Sequence, residues 1–220
     1  MKIKSEEKII QNTIEFVKTE LKNAEGGHDW FHIERVYKNA LMILEKEKAN
    51  RFIVILGALL HDIADYKFTA GNENIGPKKA AVFLKSQNVA EEIIENVVKI
   101  IKNISFKGGN FQQKWNSKEL EIIQDADRLD AIGAIGIART FNYGGYKNRK
   151  IYNPEIKPNL KMTPEEYKNS TAPTINHFYE KLLLLKDKMN TSTGKEIAEK
   201  RHQFMEDFLK QFFKEWEGKL

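Results

Sequence analysis

RFIVILGALLHDIAD, residues 51–65, is apolar nearly all round until it reaches His61. A helix that is hydrophobic on every side has to be enclosed by other helices, so this stretch reads as the hub of an all-helical protein. Its longest apolar run, Phe52 to Leu60, falls far short of the roughly 20 residues a membrane span needs. No membrane partner is therefore expected. An ionised Asp62 at the end of such a run costs several kcal/mol to bury unless something compensates its charge, and a divalent cation does so economically.

Working outward from the hub, Ile33, Val36, Tyr37, Ala40, Leu41 and Leu44 follow the i, i+3, i+4, i+7 stripe of an amphipathic helix, with Asp29 placed to cap its start. Before it, Ile9, Ile10, Ile14, Phe16, Val17 and Leu21 predict a first helix closed by Gly26-Gly27. After the hub, Pro77 suits the first turn of a helix through about residue 86, and Ile93, Ile94, Val97, Val98 and Ile101 mark the next. Gly108-Gly109 form a loop. Asn116 with Glu119 resembles a capping box that opens a long helix bearing Leu120, Ile123, Ala126, Leu129 and Ile132, expected to run to about Phe141.

Residues 142–173 hold Gly144, Gly145, Pro154, Pro158, Pro164 and Pro173, the composition of an extended loop with one short helix after Thr163. Loops of that length in compact domains often serve as lids. Two further helices are expected, near 174–190 and, from a Thr193-x-x-Glu196 box, to about 217. The second carries an aromatic stripe of Phe204, Phe208, Phe212 and Trp216, suited to the core or to a contact within a homodimer. Alternating segments of strand length are missing. The expected architecture is thus an all-α bundle, one domain over residues 1–220, with a metal-binding core about 26–141, a lid 142–173 and C-terminal helices 174–217.

Composition narrows the function. Hydrophobic residues make up 41% and charged residues 30%, which fits neither a disordered polyelectrolyte nor a membrane protein. With no cysteine, a thiol nucleophile and any cysteine-ligated metal are excluded, so a metal must sit on His, Asp or Glu. The net charge of +5 suits an anionic substrate. The lysines are scattered and only six basic residues are Arg, so specific nucleic-acid binding is not expected. MKIKSEEKIIQNTIEF does not read as a signal peptide, and a cytoplasmic location is the expectation.

Six of the eight aspartates (29, 62, 65, 125, 127, 130) and three of the five histidines (28, 32, 61) fall in three short segments. His61 and Asp62 are helix neighbours that can reach one ion at the helix edge, and His32 and Asp127 can converge on the same point. Two imidazoles with two carboxylates suit Mn²⁺ foremost, with Mg²⁺, Fe²⁺, Ni²⁺ or Co²⁺ as alternatives. The competing reading is a pair of hydrogen-bonded core histidines with carboxylates that cap or bridge helices.

His32, the doublet His61-Asp62 and Asp127, in that order on a helical background, resemble the H…HD…D signature of the HD-domain metal-dependent phosphohydrolase superfamily. HDWFHIERV (28–36), LLHDIADYKF (59–68), QDADRLDAIGAIGIARTF (124–141) and the tail TGKEIAEKRHQFMEDFL (193–209) are similar to a bacterial subfamily of stand-alone HD nucleotide pyrophosphohydrolases. The resemblance implies one divalent metal on His32, His61, Asp62 and Asp127. It implies hydrolysis of a (deoxy)nucleoside triphosphate to monophosphate and pyrophosphate. Asp65, one turn after Asp62, stands where relatives carry a group that acts on the water or on a phosphate. A 5′-nucleotidase or phosphodiesterase on the same centre is the alternative among enzymes, and a non-catalytic nucleotide-binding module the alternative outside them.

Around the ligands, His28 either orients a ligand or water or caps the preceding loop. Asp130 either holds the catalytic water or pairs with an Arg, while Asp125 reads as structural. Arg35 and Arg128 serve either phosphate or structural ion pairs. Lys67 is a phosphate candidate, and His177, Lys181, Lys188 and Arg201 sit at spacings that can face a pocket. Lys147, Arg149 and Lys150 either close over outer phosphates or are merely solvated.

Overall fold

A computed structural model describes residues 5–22, 24, 27–63, 74–104 and 115–219. Among them are ten α-helices, two short 3-10 turns and no strand, the all-α architecture expected. The helices are α1 (Glu6–Glu20), α2 (Trp30–Leu44), α3 (Arg51–Leu60), α4 (Ile75–Ser86), α5 (Glu91–Asn103), α6 (Lys118–Asp130), α7 (Gly133–Tyr146), α8 (Pro164–Asn169), α9 (Asn176–Glu180) and α10 (Ser192–Trp216). The chain forms two compact units. The first holds α1–α5 and α6 as far as Asp127; the second begins at Arg128 and holds α7–α10.

In the first unit α3 is the hub. Every residue from Phe52 to Leu60 is buried, and the helix packs against α1, α2 and α5. Each Leu or Ile withdrawn from water there contributes about 1.5–3 kcal/mol. Asn50 starts the helix, its side chain accepting from the N–H groups of Phe52 and Ile53. Its own N–H donates to Glu119 Oε1 at 2.9 Å, which ties the start of α3 to α6. Asp29 caps α2 as expected, accepting from His32 N–H at 3.0 Å.

The second unit departs from the sequence reading in several places. The long helix expected from Asn116 to Phe141 is two helices, because the chain leaves helical geometry at Ile132 and Gly133 takes φ +74°. That sign of φ favours glycine, and a Cβ on Gly133 would also meet Cβ and Cγ of Arg201 at 3.0 Å. The stripe Leu120, Ile123, Ala126, Leu129 and Ile132 is nonetheless buried throughout. Gly144-Gly145 does not end α7, which continues to Tyr146. Gly144 is there for close approach, since a Cβ would come within 2.2 Å of Thr174 Oγ1. The segment 142–173 is accordingly helical at its start, and includes α8 behind the capping box of Thr163 and Glu166.

The helix expected over 174–190 is broken into α9 and two 3-10 turns, Leu182–Leu184 and Lys186–Lys188, because Lys181 adopts φ −144°, ψ −57°. Two caps also differ. Ser117, not Asn116, accepts from Leu120 N–H, while Asn116 donates to Glu121 and Glu119 is committed to Asn50. Thr191, not Thr193, caps α10 through Gly194 N–H. Phe208, Phe212 and Trp216 of the aromatic stripe pack with Phe141, Phe178 and Tyr152, Trp216 remaining about half exposed, as does Phe204.

Candidate metal centre

His61 follows the last turn of α3 in helical geometry, so the buried hub delivers its ring to the end of the helix. The ring is buried; Nδ1–H donates to the carbonyl of Ala58 at 2.8 Å. That bond sets the tautomer and leaves Nε2 with its lone pair, buried and without a hydrogen-bond partner. Leaving such an atom unsatisfied costs about 1–3 kcal/mol.

Nε2 of His61 faces Asp127 Oδ1 at 4.0 Å, and Nε2 of the buried His32 lies 3.5 Å from the same oxygen. Among the described residues, His32, His61 and Asp127 form a group whose ligand atoms all lie within 4.8 Å of one another. Donors around one ion at about 2.0–2.2 Å stand roughly 3–4 Å apart. An orphaned buried imidazole nitrogen, a second imidazole and a carboxylate at these separations therefore fit a divalent ion. Asn39, buried on α2, donates to the carbonyl of Ala126 at 3.0 Å and so fixes α2 against α6 beside Asp127.

Asp62 lies outside that triple. Its Oδ2 is 2.6 Å from Nδ1 of His28. Burial pushes the Asp62 carboxyl up, but the hydrogen bond from His28 and the neighbouring His61, His28 and His32 outweigh it and hold the group below the usual carboxylate range. The rings of His28, His32 and His61 stand edge to face in sequence, with centroids 5.9 Å and 5.4 Å apart. Arg35 is half-buried on α2, one turn past His32. Asp65 and Lys67 lie outside the described residues.

In the second unit, Asp130 is buried and paired with Arg139 Nη1 at 2.6 Å, the Arg pairing that was one of its two expected roles. Arg128 donates to the carbonyl of Lys188 at 2.6 Å, and Arg201 to that of Leu129 at 2.5 Å. Burial lowers the Arg201 pKa, against the opposing charge of Asp130. The Lys188 side chain is exposed. Arg149 donates to the carbonyl of Ser170 and lies over the ring of Tyr143, while Lys147 lies over Tyr146. His177 Nδ1 is 3.4 Å from the Tyr167 hydroxyl.

Sequence reading missed two positioning groups. Asn39 interrupts the apolar face of α2 between Val36 and Ala40, a signal that was present. Arg139 is nine residues from Asp130 and meets it only because of the break before α7, which carries no local signal.

The HD-domain family model matches residues 30–132, a span that contains all four proposed ligands. Protein YpgQ of Bacillus subtilis is 39% identical over 206 residues, covering 92% of this chain and 91% of YpgQ. A crystal structure of an HD-superfamily hydrolase from Bacillus thuringiensis is 46% identical, covers 97% of this chain and 99% of its own, and superposes with a TM-score of 0.78. The structure of B. subtilis YpgQ in complex with ADP is 35% identical with a TM-score of 0.77, covering 96% of each chain.

Proposed function

The chain belongs to the HD-domain superfamily of metal-dependent phosphohydrolases, and from that premise we propose that it hydrolyses nucleoside triphosphates to monophosphate and pyrophosphate. The observation that carries the reading is the buried, unpartnered Nε2 of His61, aimed at His32 and Asp127. The relative YpgQ, solved with ADP, supports a nucleotide as the ligand.

His32, His61 and Asp127 hold the ion and Asp62 completes the set, with Mn²⁺ the preferred occupant of this mixed nitrogen and oxygen site. When bound, such an ion supplies Lewis acidity toward phosphate oxygens and lowers the pKa of water. The residues do the rest. The Nδ1–H bond to Ala58 holds the His61 ring so that Nε2 is turned toward His32 and Asp127. Asp65, one turn past Asp62 in sequence, orients the attacking water and takes its proton. Arg35, on the His32 face of α2, meets phosphate charge. Oxygen from water joins the α-phosphorus, the bond to the bridging oxygen breaks, and negative charge grows on the departing pyrophosphate, where cationic groups stabilise it.

Incubating the protein with Mn²⁺ and each nucleoside triphosphate, and resolving products by phosphorus NMR, tests the proposal. Equal amounts of monophosphate and pyrophosphate are expected. Orthophosphate as the first product would replace this reading with a phosphatase.

A further inference from the structure

We propose that His28 is a positioning residue that occupies one oxygen of Asp62 and so presents the other, Oδ1, to the metal as a single-oxygen ligand. This rests on the metal-centre reading and adds to it a residue that ligates nothing itself.

Local structure brings the two side chains together. Gly27, at φ +130°, turns the chain into α2, and His28 stands immediately before the capping residue Asp29. Asp62 stands immediately after His61 at the end of α3. The Nδ1···Oδ2 contact of 2.6 Å therefore ties the start of α2 to the end of α3 across 34 positions of sequence. A carboxylate only accepts, so Nδ1 carries the proton and donates. The length is that of a charge-assisted bond. Both side chains are largely withdrawn from water, at 26% and 17% exposure, so solvent competes poorly for the contact. The edge-to-face packing of His28 on His32 holds the donor ring in place.

The consequence follows from carboxylate chemistry. An Asp free to turn about its last bond offers either oxygen, or both, and must be ordered when the ion arrives. With Oδ2 committed to His28, that choice has been made in advance. Partners that orient metal ligands in this way are typically worth 10–100-fold in metal affinity.

The test uses the full chain as wild type, His28→Ala and His28→Asn. The Asn amide nitrogen stands where Nδ1 stands and keeps the donor. Mn²⁺ dissociation constants are read from the free-ion EPR signal, alongside melting temperatures of the metal-free proteins. His28→Ala is expected to weaken Mn²⁺ binding 10–100-fold and to lower metal-free melting by a few degrees, since the buried Asp62 carboxylate loses its donor, and His28→Asn to recover most of both losses. The Mn²⁺ concentration for half-maximal turnover should rise by the same factor as the dissociation constant. Unchanged affinity in His28→Ala, or equal weakening in both variants, overturns the proposal. So does a turnover deficit that added Mn²⁺ does not relieve, which would place His28 in the chemistry. A wild type that binds no Mn²⁺ overturns the metal-centre reading itself, and is thereby distinguishable from failure of the His28 role.

Discussion

His61→Leu should make the metal-free protein more stable while abolishing its response to metal. Leu is close to His in volume and adds no polar atom to a site that lies at the end of nine consecutive buried residues. In the wild type without metal, the unpartnered Nε2 costs about 1–3 kcal/mol, while the Nδ1–H bond to Ala58 returns about 1 kcal/mol. Replacing both leaves a net gain of about 1 kcal/mol, or roughly 2–4 °C in Tm for a domain of this size. Mn²⁺ at a hundred times its Kd should stabilise the wild type by about 2.7 kcal/mol, a rise of roughly 5–10 °C by the same conversion. The variant should not respond. Differential scanning calorimetry of both proteins, with and without Mn²⁺, gives the four temperatures needed. An equal metal-induced rise in both, or a metal-free variant that melts well below the wild type, would refute the idea that this nitrogen is held unsatisfied for an ion.

Three further perturbations probe the scaffold and its charges. Gly144→Ala should cost about 1–3 kcal/mol by urea unfolding, because its Cβ would overlap Thr174 Oγ1; wild-type stability would mean that α7 and the Thr174 segment part freely. Asp130→Asn should cost about 1–3 kcal/mol in urea unfolding, because Arg139 loses its counter-charge while keeping the Asp130 carbonyl oxygen as acceptor, yet keep one Mn²⁺ per chain by atomic emission; loss of metal would give Asp130 a role at the centre. Burial, then the charges of Lys181 and Arg149, hold His177 down to about 3. The unfolded chain thus takes up a proton below about pH 6.5 that the folded chain refuses until about pH 3. Stability should therefore fall across that window by about 1 kcal/mol per pH unit, partial exposure allowed for, and His177→Gln should remove this slope; an identical slope in the variant would contradict the assignment.

What the sequence made legible was local. The stripe of α2, the Asp29 cap and the enclosed run of α3 are written within one or two turns, and they place His32 and His61 on elements whose ends approach each other. What stayed hidden depended on residues far along the chain. The break before α7 is invisible in QDADRLDAIGAIGIARTF because its apolar stripe continues across it; Gly133 is needed there because Arg201, 68 residues later, packs against it. Gly144-Gly145 reads as a helix end until Thr174 is known to press on Gly144. The partners of Asp62 and Asp130 were concealed as well, the first by 34 positions of sequence and the second by the helix break itself. His28 and Asp62 meet across the ends of two helices, and Arg139 reaches Asp130 across a helix break.

Asp65→Asn should lower turnover about 10²-fold while Mn²⁺ stays bound. Attack on the α-phosphorus of a nucleoside triphosphate is read out by turnover in heavy-oxygen water with mass spectrometry of both products. One label is expected in the nucleoside monophosphate and none in pyrophosphate; label confined to pyrophosphate or orthophosphate would rule out attack at the α-phosphorus.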